Sequence, residues 1–127
     1  MVDGMNFIDY QDGRPIYEQI AENFKLQIYK GILQAGDQMP SVRSLAMELS
    51  TNPNTVQKAY TELERQGFIY TVKGRGNFVK DNASMMDNKK EEIITAVVEL
   101  FHEAQDIGIS VNELIIEIKK KIEPIDD

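Results

Sequence analysis

Apolar residues recur every three or four positions through the first part of the chain, which is the spacing of amphipathic helices. The first such stretch opens with Pro15 and is followed by Gly31, a residue that readily takes the left-handed conformation after a helix. We therefore predict a helix over residues 15–30. Its predicted apolar face consists of Ile16, Ile20, Phe24 and Ile28, widened by Tyr17 and Leu26.

Two further helices are predicted on either side of a break at residues 50–53. Ser41 is a good N-cap for the earlier helix. Asn52 followed by Pro53 is a good start for the later one, which Gly67 ends. Two helices separated by so few residues are typical of a helix-turn-helix. Their predicted inner residues are Val42, Leu45, Ala46, Leu49, Val56, Ala59, Tyr60 and Leu63.

After Gly67 the period of the pattern changes from that of a helix to that of a strand. The runs 68–72 and 77–80 are rich in β-prone residues and flank the sequence Lys73-Gly74-Arg75-Gly76. The two glycines permit positive φ, as a hairpin turn requires. The predicted order is therefore three helices followed by a β-hairpin.

A second module is predicted after the hairpin. Residues 81–88 lack periodicity and are small and polar, which suits a linker. A broad apolar stripe then runs from about Lys89 to Gly108 and predicts a long helix. Ser110 and Glu113 have the spacing of a capping box and predict the start of another helix.

The two helices of this module, the second ended by Pro124, are too small to enclose a core of their own. Docking wholly onto the first module would require an unusually large interface. We therefore predict that residues 89–127 are a helical dimerisation segment. The residues predicted to hold the dimer are Ile94, Val97, Val98, Phe101, Leu114, Ile115 and Ile118.

Charge is distributed unevenly along the 127 residues, whose net charge is −7. Residues 1–80 carry nine basic and nine acidic side chains, whereas residues 81–127 carry five and twelve. Within the first module, residues 41–80 hold six basic side chains against three acidic ones. The acidic total therefore conceals a mildly basic module that is suited to a nucleic-acid partner.

Composition excludes several classes of chemistry. The chain has no cysteine, which rules out disulfides, zinc fingers, iron–sulfur clusters and thiol catalysis. His102 is the single histidine, and one imidazole rarely makes a metal site, so we expect no metal and no cofactor. No apolar run is long enough to span a bilayer and no export signal opens the chain. We expect a soluble, cytoplasmic protein without a membrane partner.

Polar side chains occupy the first turn of the predicted third helix, where a helix-turn-helix reaches the base edges of DNA. Asn and Gln can make two hydrogen bonds to adenine, and Thr can contact a thymine methyl group or a phosphate. The candidates are Asn52, Asn54, Thr55, Gln57 and Lys58. A cap alone explains Asn52 equally well. Ser41 and Arg43, at the start of the second helix, suit a backbone phosphate, although an exposed Arg is more often simply solvated.

The turn formed by Lys73, Gly74, Arg75 and Gly76 is a further candidate. A basic hairpin tip can enter a narrow minor groove, whose negative potential attracts Arg. The alternative is a solvated turn. A phosphate-cradling loop is disfavoured because no Walker pattern surrounds it and no helix follows it.

Four segments together resemble the winged-helix domain of GntR-family transcriptional regulators over about residues 10–80. They are Gly36-Asp37-Gln38-Met39-Pro40-Ser41-Val42-Arg43-Ser44-Leu45-Ala46, Asn52-Pro53-Asn54-Thr55-Val56, Leu63-Glu64-Arg65-Gln66-Gly67 and Gly74-Arg75-Gly76. The resemblance implies a winged helix that binds a pseudo-palindromic operator as a dimer. It also implies a phosphate contact by Arg43 and a wing-tip contact at Gly74 and its neighbours. By the same resemblance, the recognition-helix contacts fall on Asn52, Asn54, Thr55 and Gln57.

Two further features of the sequence limit what the resemblance implies and indicate a subfamily. Some family members carry Arg where Pro53 and Gln57 stand here, so the base preference does not carry over. Only 47 residues follow position 80, too few for a ligand-binding helical, sugar-binding or aminotransferase domain. The chain resembles the short YtrA-type subfamily, which implies dimerisation through the C-terminal helices and an operator that often controls transport genes.

We therefore expect a mostly α fold with a small β-hairpin, a winged helix-turn-helix followed by a two-helix dimerisation hairpin. The expected function is that of a sequence-specific transcriptional repressor whose partners are double-stranded DNA and a second copy of the chain. An adaptor for other proteins and a nonspecific architectural DNA binder are the alternatives.

An enzyme is disfavoured, because the chain is too small to surround a substrate with convergent titratable groups. A small-molecule effector, whose identity the sequence does not reveal, would bind in the dimer interface or between the modules.

Overall fold

Five helices and one hairpin form in the parts of the chain that the computed structural model describes, residues 8–81 and 83–123. The chain divides into two units, Met1–Ala83 and Ser84–Asp127. The elements of the first unit are α1 (Ile16–Tyr29), α2 (Val42–Leu49), α3 (Pro53–Arg65), β1 (Ile69–Val72) and β2 (Gly76–Val79). The second unit contains α4 (Met85–Asp106) and α5 (Val111–Ile122). The predicted fold class is confirmed. No helix in the described ranges is long and apolar enough to cross a membrane.

Side-chain caps begin α2 and α3 at the predicted residues. The Oγ atom of Ser41 accepts a hydrogen bond from the amide of Ser44 at 3.0 Å. The Oδ1 atom of Asn52 accepts one from the amide of Asn54 at 2.7 Å, and Pro53 is the first residue of α3. Each cap satisfies an amide that has no partner within its own helix.

The entry to α1 depends on a buried glutamine that the sequence pattern did not single out. Pro15 is the N-cap, so α1 begins one residue later than predicted. The side chain of Gln19 is buried, and its Oε1 atom accepts a hydrogen bond from the amide of Asp9 at 2.7 Å. Its Nε2 atom donates to the carbonyl oxygens of Asp9 and Arg14. Gln19 therefore fastens the preceding segment to α1.

The core of the first unit lies where α1, α2, α3 and the hairpin meet. Most of the predicted inward-facing residues are buried there, and the ring of Phe24 packs edge-on against that of Tyr60, with 5.8 Å between the centroids. Leu26 is an error of prediction, because 45% of its surface is exposed. The largest side chains that are fully buried are Tyr60, Phe24, Ile20, Leu45, Leu63, Ile69, Val56 and Val79.

A partly buried hydrogen bond made by the core residue Tyr60 joins α3 to the residue that precedes the cap of α2. The hydroxyl group of Tyr60 donates to the carbonyl oxygen of Pro40 at 2.7 Å. Burial raises the pKa of Tyr60 well above its ordinary value, so the hydroxyl keeps its proton and remains a donor. The bond fixes the start of α2 relative to α3.

The hairpin, which we call the wing (residues 69–79), is antiparallel and pairs Ile69 with Val79 and Val72 with Gly76. The segment 36–39, which we call the bridging segment, lies beside β2 and forms one isolated bridge, between Gln38 and Phe78, which we did not predict. Three hydrogen bonds of 2.8 Å hold this segment, from the amide of Gly36 to the oxygen of Val79, from the amide of Val79 to the oxygen of Asp37, and from the amide of Met39 to the oxygen of Asn77.

In the second unit, α4 begins at Met85, so the predicted linker 81–88 is wrong over its last four residues. The polar composition of residues 85–88 suggested a loop, but these residues form the first turn of a 22-residue helix. The Oγ atom of Ser110 accepts a hydrogen bond from the amide of Glu113, as predicted for the start of α5. The predicted stop at Pro124 lies outside the described residues.

We expect Tyr60→Phe to lower the free energy of unfolding by about 1 kcal/mol, because the partly buried carbonyl of Pro40 loses its donor. Thermal unfolding of the full chain, followed by circular dichroism, would then show a midpoint several degrees lower. Tyr70→Phe is the matched control, since Tyr70 is 40% exposed and its ring stacks on Phe78. Equal midpoints for the two variants would contradict a stabilising role for the Tyr60 hydroxyl.

Candidate nucleic-acid interface

The helix α3 separates its residues into a buried face and an exposed polar face. Its buried residues are Val56, Ala59, Tyr60 and Leu63. Asn54, Gln57 and Thr61 are exposed at helical spacing on another side of α3. The Nε2 atom of Gln57 donates to the Oγ1 atom of Thr61 at 3.3 Å, which orients the amide along the helix. Thr55 is half-buried beside this exposed face.

Asn52 acts as the cap of α3 in the structure, which confirms that part of the prediction. Its Oδ1 atom is engaged by the amide of Asn54, while the residue itself is exposed. A capping asparagine presents its NH2 group to solvent at the helix start, where it can donate to a base or a phosphate. The DNA contact of Asn52 stays a prediction.

Lys58 has a partner within the protein that the sequence pattern did not indicate. Its ammonium nitrogen lies 4.2 Å from the centroid of the Tyr17 ring on α1. A cation over an aromatic face is stabilised by about 0.5–1 kcal/mol at an exposed site. The side chain of Lys58 therefore points toward α1 at the edge of the exposed face of α3. Its DNA contact stays a prediction.

Ser41 and Arg43 lie at the N-terminus of α2, as predicted. Both residues are exposed. The positive end of the helix dipole and a guanidinium group together suit a phosphate. The segment that leads into this terminus pairs with β2, so the start of α2 lies beside the wing.

The wing turn consists of Lys73, Gly74 and Arg75, because Gly76 belongs to β2 and pairs with Val72. The turn is closed by a hydrogen bond from the amide of Arg75 to the oxygen of Val72 at 2.9 Å. Gly74 has φ of +79°, a left-handed conformation that favours glycine. All three turn residues are exposed, so the wing presents two cations to solvent.

The basic side chains of residues 41–80 are mostly left without an acidic partner. Among the described residues, Arg65 is the one of these six that forms an ion pair, with Glu62. Hydrogen bonds from Arg65 and Gln66 lower the pKa of Glu62 to about 2, so that carboxylate stays ionised. Arg43, Lys73 and Arg75 therefore keep their charge available for a partner outside the chain.

The predicted dimerisation residues leave much apolar surface uncovered. On α4, Ile94, Val97 and Val98 are each about two-fifths exposed, and Phe101 is half-buried. On α5, Leu114 and Ile115 are half-buried, whereas Ile118 is 39% exposed. Ala104 is the one residue of α4 and α5 that is buried in the described part of these helices.

Two further residues that sequence reasoning missed contact the candidate residues. Thr61 lies one turn beyond Gln57 on the exposed face of α3, and helical spacing could have indicated it. Gln38 donates from its Nε2 atom to the carbonyl oxygen of Arg75 at 3.0 Å. No local pattern indicates that contact, because it joins residues 37 positions apart.

The family model for bacterial regulatory proteins of the gntR family matches residues 16–79, which span α1 to the end of the wing. The chain belongs to this family. It is 42% identical over 109 residues to the HTH-type transcriptional repressor YtrA of Bacillus subtilis (strain 168), and the matched region covers 84% of each chain. The predicted resemblance to the GntR family and its YtrA-type members is confirmed.

Solved structures of relatives share the fold. A GntR family transcriptional regulator from Listeria monocytogenes superposes with a TM-score of 0.69 at 37% identity and covers 86% of this chain and 96% of its own. YtrA from Sulfolobus acidocaldarius, a GntR-family transcription factor, gives a TM-score of 0.59 at 40% identity and covers 72% of this chain and 95% of its own. The winged-helix fold of this regulator family is thus shown for this chain.

If Arg43 neutralises a phosphate, Arg43→Ala should weaken binding to specific and nonspecific duplexes alike. The slope of log affinity against log salt should become shallower by about one unit per half-site, because one counterion fewer is released. Fluorescence anisotropy between low and moderate salt measures this slope. Arg65→Ala is the matched control, because Arg65 is already paired with Glu62. A slope unchanged by Arg43→Ala would show that Arg43 is only solvated.

Proposed function

We propose that this chain is a homodimeric repressor that binds a pseudo-palindromic DNA operator in the cytoplasm and catalyses no reaction. One observation carries the proposal: Asn52, Asn54 and Gln57 at the start of α3 are exposed, while the opposite face of the same helix is buried in the core. A helix held in this way can enter the major groove without losing its packing. The membership of a family of regulatory proteins supports the same assignment.

In the proposed complex, base edges are read by Asn52, Asn54, Thr55 and Gln57. Amide side chains suit adenine, and a threonine methyl group suits thymine. Ser41 and Arg43 at the N-terminus of α2 bind phosphate and set the register of α3 on the duplex. Lys58, held against Tyr17, adds positive charge at the edge of this surface.

The wing supplies a second contact in this proposal. Lys73 and Arg75 flank Gly74 in an exposed three-residue turn that is narrow enough to approach a minor groove. A narrow groove concentrates negative potential, which attracts Arg in particular. The wing therefore adds affinity that depends on groove shape more than on base identity.

Dimerisation is assigned to α4 and α5, whose apolar residues are exposed over several turns. The side chains of Ile94, Val97 and Val98 form part of one stripe on α4, and this stripe favours a second copy of the chain as its partner. A two-fold dimer presents two copies of α3, which explains why the operator is expected to be an inverted repeat.

Selection of duplexes from a randomised pool by the full chain tests the proposal. We expect enrichment of an inverted repeat whose half-sites are about one helical turn, or roughly 34 Å, apart. Enrichment of no sequence despite binding would indicate a nonspecific architectural protein. Absence of binding to any duplex would favour an adaptor for other proteins.

Gln57→Ala tests the reading of bases, because Gln57 is exposed and does not cap α3. If it makes a two-hydrogen-bond contact, discrimination at one base pair per half-site should fall by about 1–3 kcal/mol. Titration of single-base variants of the selected operator at fixed salt measures this loss. Arg75→Ala is the contrasting variant. It should change how the affinity depends on the sequences that flank the operator and leave the base preference within the operator intact. Wild-type preference at every position in Gln57→Ala would remove Gln57 from the reading surface.

The double variant Val97→Asp with Phe101→Asp tests the dimer assignment. Two carboxylates in the apolar stripe of α4 should cost several kcal/mol of association, so the variant should sediment as a monomer at micromolar concentration. Thr95→Asp with His102→Asp is the matched control, because helical spacing places these exposed residues on the other side of α4. If the first variant remains dimeric, the interface lies elsewhere.

A further inference from the structure

We propose that Gln38 is a positioning residue for the wing. Its side chain holds the peptide between Arg75 and Gly76, so that the wing turn is ordered before it meets DNA. The inference rests on the proposed function, because it concerns the contribution of the wing to operator binding. Gln38 lies outside the helix-turn-helix and outside the wing, and it belongs to none of the predicted DNA contacts.

The contact joins two segments that are remote in sequence. Gln38 lies in the bridging segment, where its backbone forms a bridge with Phe78 of β2. From there its Nε2 atom donates to the carbonyl oxygen of Arg75 at 3.0 Å. A carbonyl oxygen held in this way cannot rotate without breaking the bond. The Arg75–Gly76 peptide is therefore restrained at the point where the turn passes into β2.

Gly76 provides the space that this contact needs. A Cβ atom at position 76 would lie 2.8 Å from the Nε2 atom of Gln38, which is closer than side-chain atoms approach one another. Gly76 also has φ of +126°, which L side chains rarely adopt. The glycine thus serves both the turn and the passage of the glutamine side chain.

The bridging segment that carries Gln38 is itself fixed to both helices of the helix-turn-helix. Two residues further along, the carbonyl of Pro40 accepts the hydrogen bond from Tyr60 of α3. The next residue, Ser41, caps α2. Gln38 therefore holds Arg75 in a fixed position relative to α2 and α3.

An ordered wing should bind DNA more tightly than a loose one. Arg75 is exposed and forms no ion pair within the described part of the chain, so its own side chain does little to hold the turn. A loop that is mobile before binding loses conformational entropy when it is captured, and this loss reduces affinity. Because the hydrogen bond from Gln38 already restrains the turn in the free protein, less conformational entropy is lost when DNA binds.

The test uses Gln38→Met, which keeps the length of the side chain and removes the donor without adding charge. We expect its affinity for a duplex selected by the wild-type protein to be weaker by about two- to tenfold at fixed salt, the range for one hydrogen bond. Gln34→Met is the matched control, because Gln34 is an exposed glutamine that precedes the bridging segment. Its affinity should equal that of the wild type.

A double-mutant cycle separates positioning from a direct contact. In the Arg75→Ala background, Gln38→Met should change affinity by less than about twofold, because the side chain that it positions is already absent. Backbone ¹⁵N relaxation of the DNA-free protein should show increased motion of residues 73–76 in Gln38→Met and unchanged motion in α3. A thermal midpoint equal to that of the wild type would show that the fold is intact.

The outcomes distinguish this inference from the proposed function. If the wild type binds no duplex, the proposed function fails and the role of Gln38 in binding fails with it. If the wild type binds and Gln38→Met binds equally well, only the positioning role is overturned. An equal loss of affinity in the presence and absence of the Arg75 side chain would also overturn it, because Gln38 would then act independently of Arg75.

Discussion

The hydrogen bond between the Tyr60 hydroxyl and the Pro40 carbonyl is the constraint on which the arrangement of the first unit depends. It is partly buried and joins the middle of α3 to the residue before the cap of α2. The apolar contacts around it have no direction, whereas a hydrogen bond of 2.7 Å fixes both distance and angle. Because the adjoining bridging segment pairs with β2, this one bond relates α2, α3 and the wing.

Local chemistry explains why much of the fold was predictable. Ser41 and Asn52 begin their helices because a short polar side chain can satisfy a free amide, and Gly31 and Gly67 follow helix ends with positive φ. Tyr60 was predicted to face inward from spacing alone. These features involve neighbours in sequence, and a single sequence contains the information that they require.

The features that were missed involve distant neighbours. The pairing of residues 36–39 with β2 joins segments that are remote in sequence, and no alternation of four residues indicates such a partner. The sequence did not reveal the partners of Gln19, Gln38 and Lys58, because each of these side chains contacts a residue at least five positions away. The linker prediction failed for a related reason, since Met85 and its neighbours have weak preferences that the long helix α4 overrides.

The division of α3 into a buried and an exposed set of positions has a consequence for how this scaffold can diversify. The core requires Val56, Ala59, Tyr60 and Leu63, and it places no demand on the side chains at 54, 57 and 61. Substitutions at those three positions therefore leave the folding free energy nearly unchanged. A lineage of such proteins could acquire new target sequences by single steps, each passing through a fully folded intermediate. The exception is position 58, where a substitution would also remove the contact with Tyr17 of α1. A change of target sequence made at this position would therefore also change the stability of the fold.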